Sequence, residues 1–201
     1  MHEPPELADN GSMSSALVVV DVQRDFCPGG ALAAPDGDRI VPIINRYLND
    51  AASKGMPVFA TRDWHPRVTS HFKAYGGEWP PHCVQNSPGA AFHPDLKLPP
   101  DAIVINKGDD DDQPGYSAFD GHTVEGQALI AALRHRRIDR LFVAGIATDY
   151  CVLKTVLDAR HAGLDVVVLD DAVAGIDVNP GDVDRAFEEM KSAGAKTGRA
   201  L

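Results

Sequence analysis

Apolar positions along the chain switch between two spacings. Residues 16–22 (ALVVVDV) form a continuous valine-rich run, the pattern of a central strand buried on both faces. Across 38–52 the apolar residues Ile40, Val41, Ile44, Tyr47 and Leu48 recur at helical spacing, and Gly55 and Pro57 close the segment. The alternation continues. It predicts strands at 57–61 and 102–106, a helix at 123–136 with Thr123 as N-cap, a strand at 140–145, a helix at 149–162 and a strand at 165–169. A last helix is predicted at 180–193, with Asn179 as cap and Pro180 in its first turn. A short sixth strand is placed within 195–201. Strands alternating with helices imply right-handed crossovers and therefore an α/β fold. The expected form is one three-layer domain, a mostly parallel sheet of about six strands with helices on both faces. Neither a repeat nor a linker divides it, so residues 15–201 are read as the domain. Residues 1–14, polar and containing two adjacent prolines, are read as a disordered lead-in.

Sheets of this kind bind ligands at the carboxyl ends of their strands. That rule directs attention to Asp21, to residues 62–65, to Lys107 and to residues 145–151. The connection 62–101 has almost no periodicity, and loops of that length in compact domains usually carry function.

Composition narrows the classes. Hydrophobic residues at 44% and charged residues at 24% are ordinary globular values. A net charge of −10 without a Lys/Arg run argues against nucleic acid and against an anionic membrane surface as partners. Apolar runs fall well short of the roughly 20 residues of a membrane-spanning helix. The N-terminus lacks a basic and an apolar region, so no signal peptide is predicted. Three cysteines, Cys27, Cys83 and Cys151, without framework spacing point to free thiols and a cytoplasmic location.

Cys151 falls in the first turn of a helix that begins where a strand ends. A helix N-terminus and a nearby cation both favour thiolate. Its N–H and that of Ala147 are candidates for an oxyanion hole. The alternative is a buried, inert cysteine. Asp21 ends a valine run, where an unpaired carboxylate is costly. It reads as a general base for the thiol or as a strand-end cap. Lys107 ends residues 102–106 in the same topological place, as a charge partner or as a solvated lysine. Their convergence on one sheet edge is more specific than any one of them. In the long loop, Asp63, His65, His71 and His82 combine hard oxygen with imidazole nitrogen, which suits Zn²⁺, Fe²⁺ or Mn²⁺. Spacing alone equally allows exposed histidines without metal. Phe26, Trp64, Phe72, Trp79, Tyr116 and Phe119 offer flat walls for an aromatic ring or ordinary packing. Asp109, Asp110, Asp111 and Asp112 read as a solvated turn, and Cys27 and Cys83 as structural.

Several motifs in order resemble the nicotinamidase/pyrazinamidase branch of the isochorismatase-like hydrolases: VVVDVQRDFCPGG, TRDWHP with SHF, WPPHCVQNSPGA, KG with YSAF, and GIATDYCV. The resemblance runs from about residue 16 to residue 190. It implies an isochorismatase-like fold and a metal-dependent cysteine amidohydrolase. Such an enzyme converts nicotinamide to nicotinate and ammonia through a thioester, in NAD salvage, and also accepts pyrazinamide. It assigns a catalytic triad to Asp21, Lys107 and Cys151, and one divalent metal (Zn, Fe or Mn) to Asp63, His65 and His82, with His71 as an additional ligand. It places Phe26, Trp79, Tyr116 and Ile146 around the substrate and makes the Ile146–Ala147 bond cis. The acidic run between KG and YSAF departs from the pattern. Oligomeric state stays open between monomer and homo-oligomer. The runner-up is a sister amidase acting on another carboxamide or carbamoyl group.

Overall fold

The computed structural model describes residues 13–111 and 115–201. The expected lead-in therefore lies outside the described residues, except for Met13 and Ser14. The same holds for Asp112 of the acidic run.

A seven-stranded sheet runs in the order β4-β3-β2-β1-β5-β6-β7. Its strands are β1 (Ser15–Val20), β2 (Val58–Asp63), β3 (Ile103–Lys107), β4 (His122–Thr123), β5 (Arg140–Ile146), β6 (Asp165–Ala174) and β7 (Lys196–Gly198). All neighbours pair in parallel except β3 and β4. β1 occupies the middle because it is apolar on both faces. Leu17 and Val19 face the cluster built with helix α1 (Val41–Ser53). Val18 and Val20 face the cluster built with α2 (Leu129–His135), α3 (Leu153–His161) and α4 (Asp182–Ser192). This is the predicted three-layer arrangement. The sheet holds one strand more than the six expected.

That strand corrects the sequence reading at 123–136. Thr123 does not cap a helix. It belongs to β4, which pairs antiparallel with β3 through Ile105–Thr123 and Asn106–His122. Its hydroxyl accepts the Gln127 N–H at 3.2 Å, and Gly126 turns the chain at φ +84°. A left-handed residue cannot continue a helix, so α2 starts only at Leu129. Other boundaries shift for similar local reasons. β6 runs past the predicted residue 169 through Asp170 and Asp171, whose carboxylates are taken up by Arg199 at 2.7 Å and Tyr47 at 2.8 Å. Asn179 does not cap α4; it donates its backbone and side-chain N–H groups to Asp182 Oδ2 at 2.8 and 3.2 Å. The helix expected from 149 opens with a π-helical turn, Thr148–Val152, before α3. The predicted last strand is β7.

Gly145 locks β5 against β1. It sits at φ +123°, and a Cβ there would lie 2.0 Å from the Val20 carbonyl oxygen. Gly145→Ala is expected to destabilise the fold by about 3 kcal/mol, since both the backbone and the overpacked contact resist the methyl group. Denaturant unfolding of the variant measures this, and a loss within about 0.5 kcal/mol of zero, the range of neutral surface changes, would contradict it.

Candidate active site

The predicted residues meet at the carboxyl ends of β1, β2, β3 and β5. Asp21 follows β1 at φ 49°, a left-handed conformation that aspartate tolerates better than most residues. Lys107 ends β3 and is fully buried. Its ammonium lies 2.7 Å from Asp21 Oδ2, contacts Asp63 Oδ1, donates to the Gly115 carbonyl at 3.0 Å and reaches Cys151 Sγ at 3.4 Å. Beyond this ion pair Asp21 Oδ2 has no hydrogen-bond partner among the described residues, so that oxygen keeps acceptor capacity. Thr61 donates to Asp21 Oδ1 at 2.6 Å. The carboxylates of Asp21 and Asp63 and the sulfur of Cys151 all lie within 4.8 Å of one another.

Electrostatics assign the protons. Burial opposes the charge on Lys107, but Asp21 and Asp63 outweigh it and hold its pKa well above the usual value. Burial pushes the Asp21 carboxyl up against the pull of that ammonium. Burial also pushes Asp63 up, yet the Lys107 ammonium beside it, with the facing His65 and His82 rings, prevails and keeps it well below the carboxylate range. For Cys151, burial is again the largest effect. Lys107 lowers its pKa, but Asp21 and Asp63 add to burial, and the thiol stays protonated. A turn start and one cation do not outweigh full burial beside two carboxylates, so the thiol needs a base.

Asp63 turns its other oxygen to a second centre. Asp63 Oδ2 stands 3.5 Å from His65 Nε2 and 3.6 Å from His82 Nε2. The far nitrogens of both rings are engaged: His65 Nδ1 with the Gly108 carbonyl at 2.6 Å and His82 Nδ1 with the Pro80 carbonyl at 2.8 Å. Such partners place the proton on Nδ1 and leave Nε2 as a lone-pair donor. A carboxylate and two imidazoles so presented fit a divalent cation. The neighbouring trio of Asp21, Asp63 and Cys151 does not, because the Lys107 ammonium already fills its centre. His71 stands behind His65, with their Nδ1 atoms 3.1 Å apart, and is not one of the three converging donors. Gly108 makes room for this packing: a Cβ there would meet His65 Cε1 at 2.5 Å.

Two connected spaces adjoin these groups. A chamber of about 310 Å³ is lined by Asp63, His65, His71, His82, Trp79 and Tyr116, among others. A slot of about 20 Å³ lies over Cys151 and shares Asp63, Trp79, His82 and Tyr116 with it. Phe26 forms one side of the slot, and Trp79 donates its indole N–H to the Tyr116 hydroxyl at 2.8 Å. Ile146 is not among the slot's lining residues; it is buried in the core on the α1 side. The peptide bond after it is cis, and Ala147 lines the slot. The Ala147 carbonyl accepts from the N–H groups of Tyr150 and Val152, both at 3.0 Å, and so leaves the intervening Cys151 N–H out of both bonds.

Sequence reasoning missed several residues. Tyr150 packs edge-on to Trp79 at 5.1 Å and lines the slot with Leu32 and Ile176. Its place beside Cys151 was the available signal. Gln23 accepts the Asp63 N–H and donates to the Asp63 carbonyl, both at 2.8 Å, fixing the shared carboxylate from behind. Part of the acidic run proves structural rather than merely solvated. Asp111 accepts the Thr69 hydroxyl and the Ser70 N–H, holding the loop that carries His71, and Asp109 pairs with His122 at 3.3 Å. Trp64 and Phe72 stand outside the slot: Trp64 lies under the Arg62 guanidinium, 3.9 Å from the ring centre, and Phe72 is fully buried against His65 and His82. Cys27 and Cys83 are buried and unpaired, and burial first of all pushes the Cys27 thiol up to about 11.

This is the strand-end site of an α/β hydrolytic fold with a cysteine at its base. Residues 15–200 match the isochorismatase domain, and the chain belongs to that family. It is 43% identical to the nicotinamidase of Escherichia coli, over 90% of this chain and 92% of that one. A crystal structure of the pyrazinamidase of Pyrococcus horikoshii in complex with zinc superposes with a TM-score of 0.85 at 48% identity, covering 92% of this chain and 99% of that one. A crystal structure of PnC1 from L. infantum in complex with nicotinate gives 0.81 at 34% identity, covering 94% and 96%.

Replacing Lys107 by Met leaves two buried carboxylates facing each other. We expect it to cost about 3–5 kcal/mol of folding free energy, the size measured when one partner of a buried pair is removed. Urea titration reads this directly; a variant as stable as the parent would show that the charge is compensated elsewhere.

Proposed function

We propose that this protein is a nicotinamidase, hydrolysing nicotinamide to nicotinate and ammonia in NAD salvage and accepting pyrazinamide as well. The observation that carries this reading is the Cys151 thiol held beside Asp21 and Lys107 at the base of an aromatic slot, with a trio of cation donors next to it. The E. coli nicotinamidase, the zinc-bound pyrazinamidase and the nicotinate complex support it.

The carboxamide enters the slot over Cys151, and the ring lies along the wall of Trp79, Tyr116 and Phe26. Asp21 takes the thiol proton through the oxygen that keeps acceptor capacity. Its burial-raised basicity suits the task. Lys107 stays an ammonium throughout and balances the charge passed from Asp21 to sulfur. The sulfur attacks the carboxamide carbon, and the N–H groups of Ala147 and Cys151 hold the oxyanion. Asp21 returns the proton to the departing ammonia, leaving a thioester. Water then cleaves the thioester, with Asp21 again as base, and nicotinate leaves. Asp63, His65 and His82 would hold one divalent ion (Zn, Fe or Mn), which would supply Lewis acidity to a pyridine nitrogen. His71 serves as a support for His65.

A sister amidase acting on carbamoyl groups would use the same Asp21, Lys107 and Cys151. The Asp63–His65–His82 trio beside a flat aromatic slot favours the pyridine carboxamide.

Incubation with nicotinamide should release stoichiometric ammonia and nicotinate from the wild type, with Cys151→Ala slower by at least about 10³-fold. No release by the wild type, or equal release by both, sinks the assignment. His82→Ala should stay folded by circular dichroism while bound metal falls below a tenth of the wild-type content by elemental analysis. Retained metal would mean that His82 is not a ligand.

A further inference from the structure

The slot over Cys151 is narrow, about 20 Å³ against about 310 Å³ for the chamber beside it. What enters it therefore depends on where its walls stand. One of them, Ile176, belongs to no helix or strand; it lies in the connection between β6 and α4. That connection is held from the cysteine's own turn. Asp149, two residues before Cys151, accepts the Ile176 N–H on Oδ1 at 3.0 Å and the Asp177 N–H on Oδ2 at 2.7 Å. Both carboxylate oxygens are thus spent on two consecutive backbone groups, as charge-assisted bonds of about twice the strength of neutral ones.

The far side of the connection is fixed as well. Asp177, at φ 53°, accepts the Val183 N–H in the first turn of α4 at 3.2 Å. Gly175 fits where nothing larger does, since a Cβ would meet Val183 Cγ2 at 2.2 Å and Asp149 Oδ1 at 3.1 Å. Asp149 itself does not line the slot. It touches neither Lys107 nor the Asp63–His65–His82 trio through any hydrogen bond described.

We propose that Asp149 is a positioning residue that sets the width of the substrate slot, by tying the loop that carries Ile176 to the turn that carries Cys151. This rests on the nicotinamidase reading above for the identity of the substrate. Cutting the tie frees the Ile176 wall while leaving the nucleophile's own contacts with Lys107 in place. Binding and discrimination then suffer more than the chemical step.

The test is steady-state kinetics on nicotinamide and on its ring-methylated derivatives, with the folded metal-loaded enzyme. Asp149→Ala should raise KM for nicotinamide about tenfold and change kcat less than about threefold. It should also lower the preference for nicotinamide over the methylated rings about tenfold. Asp149→Asn, which keeps one acceptor oxygen, should recover most of that preference. Ile176→Ala should relax the preference too, and the double variant with Asp149→Ala should add little to either single change, as expected for residues acting as one unit. Hydrogen exchange at the amides of Ile176 and Asp177 should quicken in Asp149→Ala and not in Ile176→Ala.

A KM and a preference that stay at wild-type values in Asp149→Ala, or a fall confined to kcat, overturn the proposal, as does full additivity of the two substitutions. Wild-type enzyme that releases no ammonia from nicotinamide overturns the substrate reading instead. In that case unchanged exchange at Ile176 and Asp177 overturns the tether, and quickened exchange upholds it.

Discussion

The ammonium of Lys107 is fully buried, and the site is arranged around keeping it there. An isolated charge at zero exposure is untenable, so the sheet must deliver compensating groups from several strands at once. β1 delivers Asp21, β2 delivers Asp63, the loop after β3 delivers the Gly115 carbonyl, and the turn after β5 delivers the sulfur. The parallel register that places four strand ends side by side is therefore a condition for the charge as much as for the fold. Gly145 serves the same end by letting β5 and β1 approach closely at the point where those groups converge.

Asp63 is the joint between the two halves of the site. One of its oxygens meets the ammonium and the other meets two imidazoles, and its backbone is clamped on both sides by Gln23. A side chain held by so many partners has few ways to move, which suits a group asked to serve two cationic centres at once. The aromatic slot depends on the same rigidity. Trp79 and Tyr116 bond to each other, and Tyr150 packs against both, so the walls are defined by contacts among themselves rather than by a ligand.

Much of this was legible in the sequence. β1 announced itself through an unbroken valine run, and the strand-end rule brought Asp21, Lys107 and Cys151 together before any contact was known. The resemblance of five ordered motifs added the metal donors and the cis bond. What escaped has physical causes. Thr123 looked like a helix cap because its hydroxyl does cap something, a four-residue turn closed by Gly126. β6 was cut short because two aspartates interrupt its apolar run, and only tertiary partners, Tyr47 and Arg199, make them acceptable in a strand. Ile146 was placed at the substrate by motif proximity, while its side chain turns into the core.

The shared carboxylate of Asp63 also bears on how such a site changes through descent. A lineage that drifted at this position would lose the counter-charge for the lysine and the anionic donor for a cation in a single event. Neither centre can decay alone through Asp63, and neither can be repaired alone. Losing one centre while keeping the other therefore requires a change elsewhere, at the histidines or among Asp21, Lys107 and Cys151.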